Sequence, residues 1–409
     1  MTGRSRPPAK VIHMKRLGLL LGLTIAAACD GTPTSDGDGD RLRPLDPVLV
    51  AQGKDIFRHD TYGNEVFWTD TARMHEVIAS AVSPRVALSV GLKVDADALP
   101  QAVQDAIAAG QVDLDDPATT VTLLKLHSVV GLHGTVESIG GKDSLVRVGI
   151  TCALCHSQVD NSFAPGIGKR VDGWAATDLD VGAIVALSPA IPAALKAIMR
   201  GWGPGKYDPR INRDGQNTPI VIPPAYGLHG VALETYTGDG PVSYWNAYVA
   251  VTQMHGRGSF EDPRLGISVS ATPDLVTSKL PALAEYQLSL AAPPNPGMVD
   301  QAASARGKAV FEGVGRCADC HLPGQQFTDV SKGRLHQPAE TGMDPAYAAR
   351  TATKRYRTTP LRGLWQHPPY FHDGSAATLE AVVAHYDRVL SLGLTPQQKA
   401  DLAAYLRTR

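Results

Sequence analysis

Four of the chain's five cysteines fall in two matching arrangements, Cys152-Ala-Leu-Cys155-His156 and Cys317-Ala-Asp-Cys320-His321. Two thiols three positions apart, followed at once by an imidazole, suit the reach of one haem. The thiols add across its two vinyl groups, and the tethered histidine meets the iron from the proximal side. One such spacing is also compatible with a zinc site or a disulfide. Two of them, with no other paired cysteines, point to two covalently bound c-type haems, with His156 and His321 as iron ligands. What fills the other axial position then separates an electron carrier with capped irons from an enzyme with an open one.

The compartment agrees with covalent haem, which is attached outside the cytoplasm. Lys15 and Arg16 precede an apolar run over residues 17–28, too short to span a bilayer, and a polar, Gly-rich stretch follows over residues 30–40. This reads as a signal peptide over residues 1–28, with Met14 as an alternative start. Cys29 stands where a bacterial lipoprotein is acylated, although Ala26 replaces the more usual Leu. The expectation is export to the periplasm with a lipid anchor at Cys29, the alternative being plain export with this cysteine idle. The 409 residues carry 39 basic and 40 acidic side chains; without residues 1–28 the counts are 34 and 40, a net of −6. With no basic stripe, nucleic-acid binding is excluded, and a basic redox partner protein fits the acidic chain. Aromatics are 6% of the chain against 40 glycines and 30 prolines, so long irregular segments need another apolar mass to pack on, which haem supplies.

The chain also repeats itself. After the second motif come Thr359-Pro360, Asp373-Gly374 and a helical stretch through Tyr386; after the first come Thr218-Pro219, Asp239-Gly240 and a helical stretch through Met254. Upstream, Arg306-Gly-Lys-Ala-Val-Phe311 lies six residues before Cys317, whereas its counterpart Gln52-Gly-Lys-Asp-Ile-Phe57 lies 95 residues before Cys152. The expected fold is therefore mainly α, with two cytochrome c-like haem domains and a long insertion in the first. The expected boundaries are a flexible linker over 29–47, an N-terminal domain over 48–296 with the insertion at about 58–149, and a C-terminal domain over 297–409. Periodicity predicts packing helices over residues 70–82 and 98–109, the latter closed by Gly110, while 123–130 and 144–150 fit either short strands or apolar helix ends. Ala-Ala-Pro-Pro-Asn-Pro over 291–296 reads as a stiff linker.

Through Arg306-Gly-Lys-Ala-Val-Phe, Cys-Ala-Asp-Cys-His, Thr359-Pro-Leu-Arg and Pro369-Tyr-Phe-His-Asp-Gly-Ser-Ala-Ala-Thr-Leu-Glu-Ala-Val-Val, residues 301–390 resemble the bacterial di-haem cytochrome c peroxidase superfamily, which includes the methylamine-dehydrogenase maturation enzyme. Residues 150–256 match it in outline, and the insertion has no counterpart. The resemblance implies haems that face a shared interface, with electrons entering at the C-terminal one and any chemistry at the N-terminal one. It implies a Met or Tyr as sixth ligand of the C-terminal haem, here Tyr386, with His385, His372 and Met343 as alternatives. For the first haem the corresponding helix offers Met254 and His255, and His127, His133 and His229 are further candidates. An inter-domain calcium ion is compatible with the resemblance, though no residue singles it out.

The chain departs from the peroxidases where their chemistry lies. They keep a Glu in the helix after the first Asp-Gly, where this chain has Asn246 and Ala247, and a Trp just before it, where this chain has Tyr236-Thr-Gly; Trp245 is the nearest substitute. Peroxide cleavage needs a carboxylate or His beside an open iron, which leaves Glu76 or Asp116 of the insertion as sources. Arg357 and Arg362 suit bidentate pairing with haem propionates, or are solvated surface residues. The first expectation is thus electron transfer between redox partners through two haems. The alternative is a peroxidase-like enzyme reducing hydrogen peroxide, or oxidising a protein substrate, at the N-terminal haem.

Overall fold

Gly53 and Gly307 sit at the same point of two repeated helix crossings. The computed structural model describes residues 42–409, so the signal segment and Cys29 lie outside the described residues. Helix Pro47–His59 crosses helix Leu280–Ser289, and a Cβ on Gly53 would overlap the Ala282 carbonyl and press on Tyr286. Helix Gln301–Glu312 crosses Pro396–Leu406 in the same way, with Gly307 against the Asp401 carbonyl and Tyr405. One turn further on, Phe57 meets Tyr286 edge-on at 5.5 Å and Phe311 meets Tyr405 at 5.2 Å. Gly and Phe four residues apart share one helix face, so the six-residue repeat encodes a close crossing followed by an aromatic lock. The helix starts are equally explicit. Asp46 accepts from Val48 N at 2.8 Å with Pro47 in the first turn, and Thr395 and Gln398 form a reciprocal capping box ahead of the last helix.

Between His59 and Cys152 the chain builds a second core. Met74 and Ile78 of helix Met74–Ala81 pack with Val121 and Leu124 of helix Pro117–Lys125, and with Leu145 and Val148 of a hairpin. Residues 123–125 are therefore a helix end, and 144–150 belong to strand Lys142–Ile150, antiparallel to Leu132–Ile139. The hairpin turns at Gly140-Gly141, both at positive φ, as a two-residue turn between right-twisted strands requires. Residues 66–71 form a π-helical turn ahead of the predicted helix, which begins at Met74. The second predicted helix is Gln101–Ala108; it ends before Gly110 and leans on this core through half-buried Val103 and Ile107.

Residues 291–296 are pinned, Pro293 O accepting from Trp365 Nε1 at 3.1 Å and Asn295 donating to Arg407 O at 2.8 Å. Residues 42–409 form one compact unit. Among them no helix is long and apolar enough to cross a membrane.

Candidate haem centres

The single-turn helix Ala153–His156 carries Cys155 and His156, with Cys152 just before it. It lies against Gly131, whose φ of +80° and contact with the Leu154 backbone leave no room for a side chain. His156 Nδ1 is 3.1 Å from Pro223 O, a contact that only an N–H satisfies. Nε2 is then the nitrogen without a proton, the state in which imidazole ligates iron, and its orientation is set by the carbonyl behind it. Burial holds this imidazole down at about 4, neutral across the working range.

Cys152, Cys155 and His156 share a cavity of about 470 Å³ with walls that are mostly apolar, within the range of about 300–1,000 Å³ usual for cofactor sites. One face of helix Val242–Thr252 lines it at helical spacing, through Val242, Trp245, Asn246, Val249 and Ala250, and the segment between His59 and Cys152 closes it with Phe67, Met74 and Ile78. Among the described residues on the wall, Glu234 is the one carboxylic acid. It is 5% exposed, Oε2 lies 3.0 Å from Arg357 Nη1, and Oε1 has no partner. Burial raises its carboxyl to about 7 against the downward pull of Arg357 and, more weakly, Arg362. Arg357 also donates Nη1 to Leu233 O at 2.6 Å, while its Nε and the hydroxyl of Thr235, both buried and both on residues of the wall, have no partner. Unused donors beside a guanidinium, on a mostly apolar wall, fit the carboxylate edge of a haem. Arg362 instead donates to Gly227 O and does not line the cavity.

Met254 and His255 both reach the cavity wall. Trp68 Nε1 donates to Met254 O at 3.0 Å, and His255, at a left-handed φ of +61°, stacks on Phe67 with ring centres 3.5 Å apart. His127 and His133 stack on one another at 5.2 Å, and neither they nor His229 line the cavity. Asn246 donates to Gln287 at 2.6 Å, and Ala247 is buried in the core. The two acids expected from the insertion lie elsewhere: Glu76 pairs with Arg73 at the surface, and Asp116 caps helix Pro117–Lys125 through Ala118 N. The cavity carboxyl is Glu234, which sequence reasoning missed.

At the second centre, Cys317 begins the turn Cys317–Asp319 and Cys320 closes it, after Arg316 at φ +53°. His321 Nδ1 lies 3.0 Å from Phe327 O, which repeats the arrangement at His156. Burial lowers the His321 imidazole as well. Tyr386, on helix Leu379–Val389, meets Phe371 edge-on at 5.9 Å, and its phenol is pushed up to about 12 by burial and then by the Cys320 and Cys317 sulfurs. Of its rivals, His385 has Nε2 committed to Thr341 O at 2.8 Å. Met343 packs beside Ile220, Tyr347 and Tyr356, in a cluster separate from that of Cys317. His372 is buried, with Nε2 at 3.0 Å from Tyr356 OH and its ring 6.4 Å from that of Tyr236. The one cluster among the described residues spaced to hold a metal ion, Cys320, Asp329 and His336, includes a haem-motif thiol and a single carboxylate, a donor set unlike the all-oxygen shell of calcium.

No family model matches the chain. It is 32% identical over 127 residues to the methylamine utilization protein MauG of Methylorubrum extorquens; the match covers 25% of this chain and 33% of the relative, so the chain spans about a third of that protein's length. Two solved structures align weakly. Hydrazine synthase of Kuenenia stuttgartiensis matches at 18% identity over 48% of this chain and 74% of its own, with a TM-score of 0.34. A MauG-like protein associated with microbial copper homeostasis matches at 21% over 47% and 74%, with a TM-score of 0.33.

Proposed function

We propose that this chain, over the matched segment a MauG homologue of the di-haem cytochrome c peroxidase family, is an exported di-haem c-type cytochrome that passes electrons between redox partner proteins. The observation that carries this reading is the repeated histidine geometry: His156 and His321 each turn Nδ1 to a backbone carbonyl, at 3.1 and 3.0 Å, and keep Nε2 for iron. Cys152 and Cys155 would hold one haem, and Cys317 and Cys320 the other. Bound there, haem supplies reversible one-electron chemistry. Around it, Arg357 and Thr235 would hold a carboxylate of the first haem, Tyr386 would cap the second iron, and Met254 or His255 the first. The mature chain would be organised as haem domains over 48–296 and 297–409, anchored through an acylated Cys29, its net charge of −6 suiting a basic partner.

A second reading, an enzyme that reduces hydrogen peroxide or oxidises a protein substrate at the first centre, is favoured by Glu234. Such chemistry needs a group that holds and moves a proton beside the iron, and Glu234 puts a carboxyl with a free Oε1 on that cavity wall. Haem quantitation and electron paramagnetic resonance of the full-length, haem-loaded protein, with and without stoichiometric peroxide, test both. Two covalent haems, both low-spin and indifferent to peroxide, are expected for the carrier. A high-spin ferric signal altered by peroxide would sink the carrier reading in favour of the enzyme, and fewer than two covalent haems would sink both.

A further inference from the structure

Glu234 has no role in a simple electron relay, yet it is held where one would be felt. Its carboxyl is 5% exposed on the wall of the cavity that contains His156, and it has one oxygen on Arg357 and one on nothing. A buried ion pair usually fills all its hydrogen-bonding capacity, because an unmet oxygen costs about 1–3 kcal/mol. An acid left half-satisfied is one whose proton occupancy can change at little cost to the packing. Arg357 and Arg362 are the charged groups that face it, the helix Val242–Thr252 contributes only the neutral Trp245, whose Nε1 bonds Glu234 O at 3.0 Å, and the Thr235 backbone N–H also favours the anion.

We propose that Glu234 is the proton-exchanging group of the first centre: its carboxylate takes one proton from solvent for each electron that the centre at His156 receives from a one-electron donor protein, and returns it on reoxidation. The inference rests on the di-haem reading above. The step balances, one electron in from the donor against one proton in from water. The physical cause is that an added negative charge in an apolar cavity is poorly screened; Glu234 is the one carboxyl on that wall able to neutralise it by binding a proton, and burial holds the His255 imidazole lower. With burial holding that carboxyl at about 7, uptake falls in the neutral range.

The test is a spectropotentiometric titration of the full-length, haem-loaded protein between about pH 5 and 9, together with reduced-minus-oxidised infrared difference spectra, on wild type, Glu234→Gln and Glu234→Asp. In the wild type the reduced-to-oxidised ratio of one haem at fixed potential should fall toward about tenfold per pH unit above about pH 7, where the carboxyl starts ionised and one proton enters per electron, and less steeply below it. A protonated-carboxyl C=O band should appear on reduction. Glu234→Gln should lose both the slope and the band, and Glu234→Asp should keep them with the slope displaced in pH. An unchanged slope in Glu234→Gln, or a flat wild type that carries two covalent haems, would overturn the assignment while leaving the di-haem reading intact. Fewer than two covalent haems in the wild type would overturn both. If Glu234→Gln does not load haem, the wild-type infrared band and the Asp variant still decide.

Discussion

Arg350 grips Asp208 with two bonds, Nη1 to Oδ2 at 2.8 Å and Nη2 to Oδ1 at 3.1 Å, across 142 residues of chain. The same guanidinium takes Asp214 through Nε and Nη2, both at 2.8 Å, and also donates to Thr218 and the Gln216 carbonyl. With side-chain exposures of 2% for Arg350 and 0% for Asp208, the pair is sealed between the segment that follows the first haem motif and the one that follows the second. Removing one partner strands a buried charge, so Arg350→Ala should lose about 3–5 kcal/mol in chemical denaturation. Arg350→Lys should recover only part of it, because an ammonium cannot fork onto two carboxylates. A loss below about 1 kcal/mol, as for an exposed pair, would show that the junction is held elsewhere.

The two helix crossings give a prediction of opposite sign from helix propensity. In a helix interior Ala is better than Gly by about 1 kcal/mol, yet at Gly307 the new Cβ meets the Asp401 carbonyl and at Gly53 the Ala282 carbonyl. Each helix must back away from its partner, at a cost of about 1–3 kcal/mol for overpacking. Gly307→Ala and Gly53→Ala should therefore lower the melting temperature, whereas an alanine at exposed Gly324, whose Cβ would meet nothing, should do so far less.

Those crossings also show how far the sequence could be read. Gln52-Gly-Lys-Asp-Ile-Phe57 and Arg306-Gly-Lys-Ala-Val-Phe311 were legible because the close approach and the aromatic lock both leave a residue signature. Their partners carry a repeat too, Leu283-Ala-Glu-Tyr286 and Leu402-Ala-Ala-Tyr405, but it follows the two Cys-x-x-Cys-His motifs at unequal distances and so falls out of register with the rest. The ambiguity over residues 123–130 and 144–150 came from short apolar runs, which look alike whether a helix end or a strand buries them. Glu234 was out of reach for another reason. Its meaning comes from Arg357, 123 residues away, and from a cavity whose walls are gathered from Phe67 to Gln287 and from Arg357 itself; nothing local marks it.

At the second centre the candidates for the sixth ligand separate by what they are already bonded to. Tyr386→Phe should alter the visible and magnetic resonance spectra of one haem and leave the other untouched. Tyr386→Met should raise the reduction potential of that haem, as thioether ligation does. His385→Asn should change neither spectrum, since His385 Nε2 is held by Thr341 O at 2.8 Å, and should cost only about 1 kcal/mol for the lost bond. If both haems keep their wild-type spectra in Tyr386→Phe, the phenol is not a ligand and merely fills the pocket.

The N-terminal edge of the described chain should be acid-labile. Glu285 on helix Leu280–Ser289 accepts from Arg43 through both oxygens, at 2.8 and 2.5 Å, and from Asp46 N at 2.7 Å, which ties the start of helix Pro47–His59 to its crossing partner. The Arg43 bond, helped by the Asp46 N–H, holds the carboxyl down at about 2. Because the folded value lies below that of the unfolded chain, this tie contributes fully above the ordinary Glu range near pH 4.3 and is lost as pH falls toward about 2. Arg43 is 58% exposed, so solvent screening limits the effect to about 1 kcal/mol. Glu285→Gln should remove it at neutral pH and flatten the acid limb of stability. Hydrogen exchange should show the first turn of helix Pro47–His59 opening in the variant at pH 7 as it does in the wild type near the foot of that limb; equal protection in both proteins at pH 7 would refute the tie.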